Sequence, residues 1–543
     1  MTAAASTSEP FTALRSPVLA SSVGPSSSFS PPPSPAAFRP RPVLFSSVVL
    51  LVLQAMQFGW SITQLNFSQF HTQRLCDARP VAPGTCLMFP GHTKTEWLYV
   101  VNLWLVGGML GSIVSGRISD RIGRKRTHLG TCVMSIVAGS VQTTAPSLPV
   151  FTLGRFLAGV GTGVTSSLIN GYINELSPPH LRNALGITFQ ISRGVGCISC
   201  GLMFFLTASP NGWRYISAVP IGLGAIGLLL APKFMVESPP WLLTRGRRED
   251  AEVAIATLFG EERVQQALAW MDAATQAAGR SKSIVAPLSR STSRHDVHEV
   301  SVVVEPSNRQ AAVPPVAVQE QDPGKLTVSS PWRALFSSTF RAQTALAVAL
   351  CSAQQLSGIN AVFLYSSTTF KDAGLNDDRI GVLVINIFNL VPTMFAGSLG
   401  TRMGNRPLLL WGHVGMILCA VGITAALMLT SAPLSVVFMA AFVGVYAVTL
   451  GPLPFVIAPS VFPDALRATG SALCICANWG SCLVIGVGFP YIASALEDYG
   501  FVPFIVVIAA FGAYTWRHLP ETAGLTGEEI QEIYRQRKRE QQR

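Results

Sequence analysis

Twelve apolar runs punctuate the chain, at roughly 43–65, 97–117, 127–145, 150–173, 184–206, 214–231, 342–366, 378–399, 407–429, 434–459, 468–490 and 499–519. Each is close to the ~20 residues a helix needs to cross a hydrocarbon core. Helices keep their backbone hydrogen bonds internal, so a lipid-embedded chain can be built from them. One long polar stretch, 232–341, divides the runs six and six. The pattern predicts an all-α membrane protein of twelve transmembrane helices, in an N-terminal bundle (43–231) and a C-terminal bundle (342–519). Residues 232–341 form a cytosolic linker. Its 248–280 portion has helical spacing, with Ala251, Ala254, Ile255 and Leu258 on one face. Its 281–330 insert is Ser-, Pro- and Val-rich and is expected to be disordered. Residues 1–42 and 520–543 are tails.

Composition sharpens this. Of 543 residues, 49% are apolar and 12% charged, about half the charge of a soluble domain. A single soluble enzyme, a coiled coil and a disordered chain are excluded. The net charge of +11 does not signal nucleic acid, because the bases cluster in short connections. Arg117, Arg121, Arg124, Lys125 and Arg126 follow run two, and Arg182, Arg402, Arg406 and Arg467 occupy connections of the same parity. By the positive-inside rule these are cytosolic, as are both termini. The expectation is a multi-pass protein of the plasma membrane, with an organelle membrane as the alternative. The Ser- and Pro-rich, acid-poor segment 1–42 reads as a cytosolic tail or as a transit peptide. The sequence sets no oligomeric state, and a single copy is expected to suffice.

Ten cysteines lack metal-ligand spacing, and no nucleophile–base pair or phosphate loop lies outside the runs. Neither metal, cofactor nor enzymatic activity is expected. Cys76 and Cys86 share the long external loop, about 66–96, where a disulfide can persist.

The two halves repeat. Asp120-Arg-Ile-Gly123-Arg-Lys125 after run two matches Thr401-Arg-Met-Gly404-Asn-Arg406 after run eight, at an offset of 281. Glu175…Arg182 after run four matches Ser460…Arg467 after run ten, at 285, and Glu237 after run six matches Glu521 after run twelve, at 284. Repeated six-helix halves belong to transporters with the substrate site at the repeat interface. Asp120, Arg124, Glu175, Arg182, Glu237, Arg402, Arg406, Arg467 and Glu521 form a candidate gating charge network. The C-terminal half lacks two acids, with Thr401 and Ser460 in their places, so a weakened cytosolic gate is expected.

Polar side chains inside spans usually face a cavity or another helix. Gln190, Gln354, Gln355, Asn360, Asn389 and Asn478 both donate and accept, which suits a neutral polyhydroxyl ligand, and Trp479 and Phe455 suit a sugar's C–H face. Gly358 and Gly451-Pro-Leu-Pro454 mark discontinuous helices. Arg193 lies three residues after Gln190 with no acid in any span to pair it; it faces the cavity or carbonyls of a broken helix.

The segment Gln354-Gln355-Leu-Ser-Gly-Ile-Asn360-Ala-Val-Phe363 resembles the seventh-helix signature of the facilitative glucose transporters, in the sugar-porter branch of the major facilitator superfamily. Gln57-Phe-Gly59-Trp60, Gly154-Arg155-Phe156, Glu237-Ser-Pro239, Gly451-Pro-Leu-Pro454 and Pro520-Glu-Thr-Ala-Gly524 match in order. The resemblance covers about 43–280 and 331–525. It implies that Gln190, Gln354, Gln355, Asn360, Asn389 and Asn478 bind sugar hydroxyls and that Phe455 and Trp479 line the cavity. The chain departs from that pattern at Ala447, Leu364, Phe455 and Pro240. Ser61 stands where the proton-coupled relatives carry an Asp. A facilitative hexose uniporter, with glucose foremost, is therefore expected; a proton symporter and a transporter-like sugar sensor are the alternatives.

Overall fold

A computed structural model describes residues 39–66, 70–178, 181, 185–269, 271, 331–372, 377–523, 525 and 527–542. Residues 1–38, Arg182, most of the linker with its 281–330 insert, and Gly524 lie outside them. The described chain is helical. The N-terminal half contains α1 (Pro42–Thr63), α2 (Lys94–Ile122), α3 (Arg124–Thr144), α4 (Leu148–Leu176), α5 (Thr188–Leu206) and α6 (Gly212–Phe234). Two short helices follow, α7 (Pro239–Thr244) and α8 (Arg248–Phe259). The C-terminal half contains α9 (Arg341–Leu356), α10 (Ile359–Asp372), α11 (Asp378–Met403), α12 (Asn405–Met428), α13 (Ala432–Val448), α14 (Leu453–Ser460), α15 (Asp464–Leu496) and α16 (Val502–His518), and α17 (Gly527–Gln542) follows.

All twelve runs are helical, and ten described helices are long and apolar enough to cross a membrane. The other two differ for visible reasons. α3 opens on Arg124-Lys125-Arg126 and carries many small polar residues. α16 is 17 residues long. Runs seven and ten are each split, as their glycines and prolines predict. Gly358, at φ +91°, separates α9 from α10, and Gly451-Pro452 separates α13 from α14. Glycine tolerates that positive φ at little cost, and proline lacks the N–H that a continuous helix needs. α2 starts three residues earlier than its apolar run, because Thr93 and Glu96 form a capping box at its N-terminus.

Within the N-terminal half, small residues let backbones touch. Gly107 and Gly111 of α2 face Gly159 and Gly163 of α4. A Cβ at any of the four would collide with a carbonyl oxygen of the partner helix. This is the small-xxx-small packing that holds helices together where lipid offers no hydrophobic drive. Gly59 of α1 and Gly196 of α5 make the same approach, and this crossing fixes the backbone at Arg193, whose carbonyl faces Gly59. In the linker, Ala251, Ala254, Ile255 and Leu258 of α8 are buried together, as their spacing predicts. That helix stops at Gly260, at φ +100°, instead of running on as one element.

Candidate functional site

The amides of the C-terminal half gather at the α9–α10 break. Gln354 is buried and donates to the Gly451 carbonyl at 2.5 Å. Gln355 donates to Gln354 Oε1 at 3.1 Å and to Asn478 Oδ1 at 3.0 Å. Asn478 in turn donates to Gln354 Oε1 at 2.5 Å and to the Cys351 carbonyl at 2.9 Å. Asn360 donates to Gln355 Oε1. Gly358 makes this possible: the chain turns there, so Asn360 of α10 reaches back to Gln355 of α9. The cluster thus joins α9, α10 and α15 and touches the α13–α14 break through Gly451.

Trp479, one residue after Asn478, crosses to the other half. It stacks on Phe58 of α1 with centroids 6.0 Å apart and meets Trp104 of α2 edge-on at 5.8 Å. Gly108 of α2 makes room, since a Cβ there would lie 2.5 Å from the indole. Gln190, Arg193 and Asn389 form a second group. Arg193 donates from Nε to Gln190 Oε1 at 3.0 Å and from Nη2 to Asn389 Oδ1 at 3.3 Å. Its guanidinium lies 5.9 Å from the Phe363 ring. It therefore pairs with amide side chains of both halves, not with the carbonyls of a broken helix. Phe455 is exposed and joins neither group.

The charge clusters lie at the end of the bundle carrying Arg124 and Arg406, and each closes within its own half. Arg124 binds Glu175 in a bidentate pair, 2.9 Å and 3.0 Å, and Asp120 at 3.0 Å. Glu237 accepts from the backbone N–H groups of Arg124 at 2.8 Å and Lys125 at 3.1 Å. Its carboxylate thus caps the N-terminus of α3, where an anion is favoured. Glu521 repeats this on α12, accepting from the N–H groups of Asn405 at 3.0 Å and Arg406 at 3.2 Å. Both caps need a glycine before the helix. Gly123 has φ +100° and Gly404 φ +87°, and a Cβ would lie 2.5 Å and 2.7 Å from the respective carboxylate. Lys125 donates to the Pro232 carbonyl at 2.9 Å, and its counterpart Arg406 donates to the Trp516 carbonyl at 2.7 Å. Arg402 and Arg467 are exposed, with Arg467 donating to the Pro459 carbonyl at 3.3 Å.

At the opposite end the halves are drawn together. Asn66, beyond α1, donates to Ser366 Oγ at 2.9 Å and accepts from the Ser367 N–H at 3.1 Å. Lys94 reaches the Pro490 carbonyl at 3.2 Å and Ser494 at 2.7 Å, and Asn102 the Gly486 carbonyl at 3.2 Å. Arg379 lies 4.8 Å from the Phe205 ring of the other half. Its double hydrogen bond to Asp377 holds that carboxyl below the usual carboxylate range. The loop at this end carries the Cys76–Cys86 disulfide, with Cα atoms 5.1 Å apart. An open crevice of about 930 Å³ also lies here, lined by Glu96, Tyr99, Trp213 and Arg214 among others. It is remote from the amides.

One buried charge escaped sequence reasoning. Arg155 of α4 is fully buried, donates to the Ser61 carbonyl at 2.8 Å and lies 5.5 Å from the Trp104 ring. Its position inside an apolar run was the available signal. Asn66 likewise drew no role from the sequence, and its burial at 4% exposure gives it a structural task.

The family model of the sugar (and other) transporters matches residues 47–305 and 295–534. The human solute carrier family 2, facilitated glucose transporter member 4 is 31% identical over 501 residues, covering 90% of each chain. The plastidic glucose transporter 4 of Arabidopsis thaliana is 29% identical, over 80% of this chain and 72% of that protein. Among solved structures, the inward-open xylose transporter XylE of E. coli superposes with a TM-score of 0.69 at 19% identity, covering 90% of this chain and 99% of that one. The proton:xylose symporter XylE bound to 6-bromo-6-deoxy-D-glucose gives 0.66 at 20%. Family match, relatives aligned over most of their length and helical architecture agree: this chain is a multi-pass membrane protein with the major facilitator fold that belongs to the family of sugar (and other) transporters, and it is a transporter, not an enzyme.

Proposed function

We propose that the chain is a facilitative hexose uniporter, with glucose as its foremost substrate, working by alternating access between the halves 43–231 and 342–519. The observation that carries this reading is the joined amide cluster of Gln354, Gln355, Asn360 and Asn478 beside Trp479. Amide groups that already satisfy one another can exchange those bonds for sugar hydroxyls at little net cost, because each lost partner is replaced. Gln190 and Asn389 supply the opposing wall, and Phe455 borders it. The human relative is a facilitated glucose transporter, which supports this reading. No carboxylate of the described residues hydrogen-bonds to these amides, which favours transport without a proton.

The basic end is the cytosolic face in this reading, with both termini there and the plasma membrane as the site of action. Outer contacts through Asn66, Lys94 and Asn102 then close the external side, and the charge clusters close within their halves on the open side. The state is inward-facing. When the halves swing, Arg124, Glu175 and the remaining network members, Arg182 among them, come within reach of the other half's connections.

The test is radiolabelled glucose uptake into proteoliposomes of the purified chain, with fructose, galactose and xylose as competitors. Saturable, downhill-only uptake that an uncoupler leaves unchanged is expected. Uphill uptake driven by external acid would replace uniport by symport, and absence of any flux would leave a sensor.

A further inference from the structure

Resting on the reading of Gln190 and Asn389 as part of the sugar site, we propose that Arg193 makes this cavity a site for sugar acids, monoanionic hexoses bearing a carboxylate, as well as for neutral hexoses.

Arg193 is a cation at the centre of the bundle whose hydrogen bonds go to two neutral amides. A guanidinium stays charged at any physiological pH, so its charge is uncompensated by these partners. Its hydrogen-bond and ring partners are the Phe363 ring and the amides of Gln190 and Asn389. None of these is an anion. In a low-dielectric interior such a charge strongly favours an incoming anion.

Donor geometry points the same way. Of the five N–H groups of a guanidinium, Nε and Nη2 each make one bond, and Nη1 makes none among the described residues. Asn389 is 1% exposed. Its Oδ1 is occupied by Arg193, which has no acceptor to offer in return, so the amide orientation is fixed. Its Nδ2 is therefore turned away with two protons, and it is a buried donor without a partner. Arg193 Nη1 thus presents donors and no acceptor. A sugar hydroxyl meeting it would have to place its own proton elsewhere. A carboxylate accepts only, and matches a guanidinium edge bidentately. The amide cluster around Gln355 and Asn478 offers both donors and acceptors, which suits the hydroxyls on the rest of the same sugar. Half-burial of Arg193, between α5, α10 and α11, leaves the guanidinium reachable from the space between the halves.

Purified wild-type chain in proteoliposomes is assayed with D-glucuronate, its uncharged isostere D-glucuronamide, and glucose. Saturable uptake of glucuronate, competing with glucose, is expected, with glucuronate at least tenfold better than glucuronamide. In Arg193→Gln that ratio falls at least tenfold, and in Arg193→Lys, which keeps the charge but not the fork, it falls less. Glucose uptake without glucuronate uptake, or equal competition by acid and amide in the wild type, overturns the proposal and leaves the hexose reading standing. A ratio unchanged in Arg193→Gln also overturns it. Glucuronate uptake without glucose uptake does the reverse, and no uptake of any probe removes both. The wild-type comparison decides the matter even where the variants do not fold.

Discussion

Asn66 is the sharpest place to perturb the conformational balance. It sits past the end of α1 and grips the start of α10's outer turn in the opposite half, donating to Ser366 and accepting from Ser367. Both bonds cross between the halves at the closed end, so they exist only while that end is closed. Each is worth about 0.5–1.5 kcal/mol net, more where a buried group is left unpaired. Asn66→Ala removes both, so the outward-closed state loses about 1–3 kcal/mol relative to the outward-open one. At about 1.4 kcal/mol per tenfold, the closed population should fall about 5- to 150-fold relative to the open one. The assay is a spin-label distance between Leu206, at the end of α5, and Tyr499, beyond α15. Both side chains are exposed and sit on different halves at that end. The wild type should show mainly the short distance, and Asn66→Ala should add a longer one. A correctly folded Asn66→Ala protein with an unchanged distance distribution would refute the idea that this contact holds the external side shut.

Other outcomes follow from the same contacts. Gly123→Ala and Gly404→Ala each place a Cβ against a capping carboxylate at positive φ. Each should cost about 1–3 kcal/mol from the backbone alone, read as a lower Tm, whereas Gly130→Ala, inside a helix with open space around it, should leave Tm unchanged or raise it. Glu175→Gln should weaken the protein more than Asp120→Asn in denaturation. Glu175 holds Arg124 bidentately and its side chain is 26% exposed, against 71% for Asp120, and exposed pairs contribute about 0–1 kcal/mol. Gly108→Ala should slow sugar uptake by displacing Trp479, since a Cβ there would lie 2.5 Å from the indole; an unchanged rate in labelled-glucose uptake would refute the contact.

Much of the architecture was legible because lipid imposes it. A span must be apolar and about 20 residues long, so the runs announced themselves, and broken helices announced themselves through Gly358 and Gly451-Pro452. The amide cluster was also legible, since amides in apolar runs have few structural excuses. Partner assignment was not. Sequence offsets paired Glu237 with Glu521 and suggested mobile ion pairs, but the carboxylates bind backbone N–H groups, and no side-chain pattern reveals a backbone partner. The role of Gly123 and Gly404 was hidden for the same reason. The fully buried Arg155 stood in a quoted motif without a role, because its partner is the Ser61 carbonyl, and a backbone partner carries no sequence signal.

The repeat also changes how the uneven halves are understood. At the offset of 281, Arg124 corresponds to Asn405 and Asp120 to Thr401, and at 285 Glu175 corresponds to Ser460. The whole charged triad of the N-terminal half is neutral in the C-terminal half, so the missing acids strand no equivalent of Arg124. What both halves keep is the capping glutamate with its glycine, and the base that reaches a carbonyl: Lys125 to Pro232, Arg406 to Trp516. The retained set is built on backbone partners, which stay in place whichever way the halves tilt, because donor and acceptor belong to one half. The triad is built on side chains, which can exchange partners. The backbone-anchored caps are thus duplicated, and the Asp120–Arg124–Glu175 side-chain triad is confined to one half. In the gate proposed above, Arg467 and the other basic connections of the C-terminal half are what Glu175 and Asp120 meet.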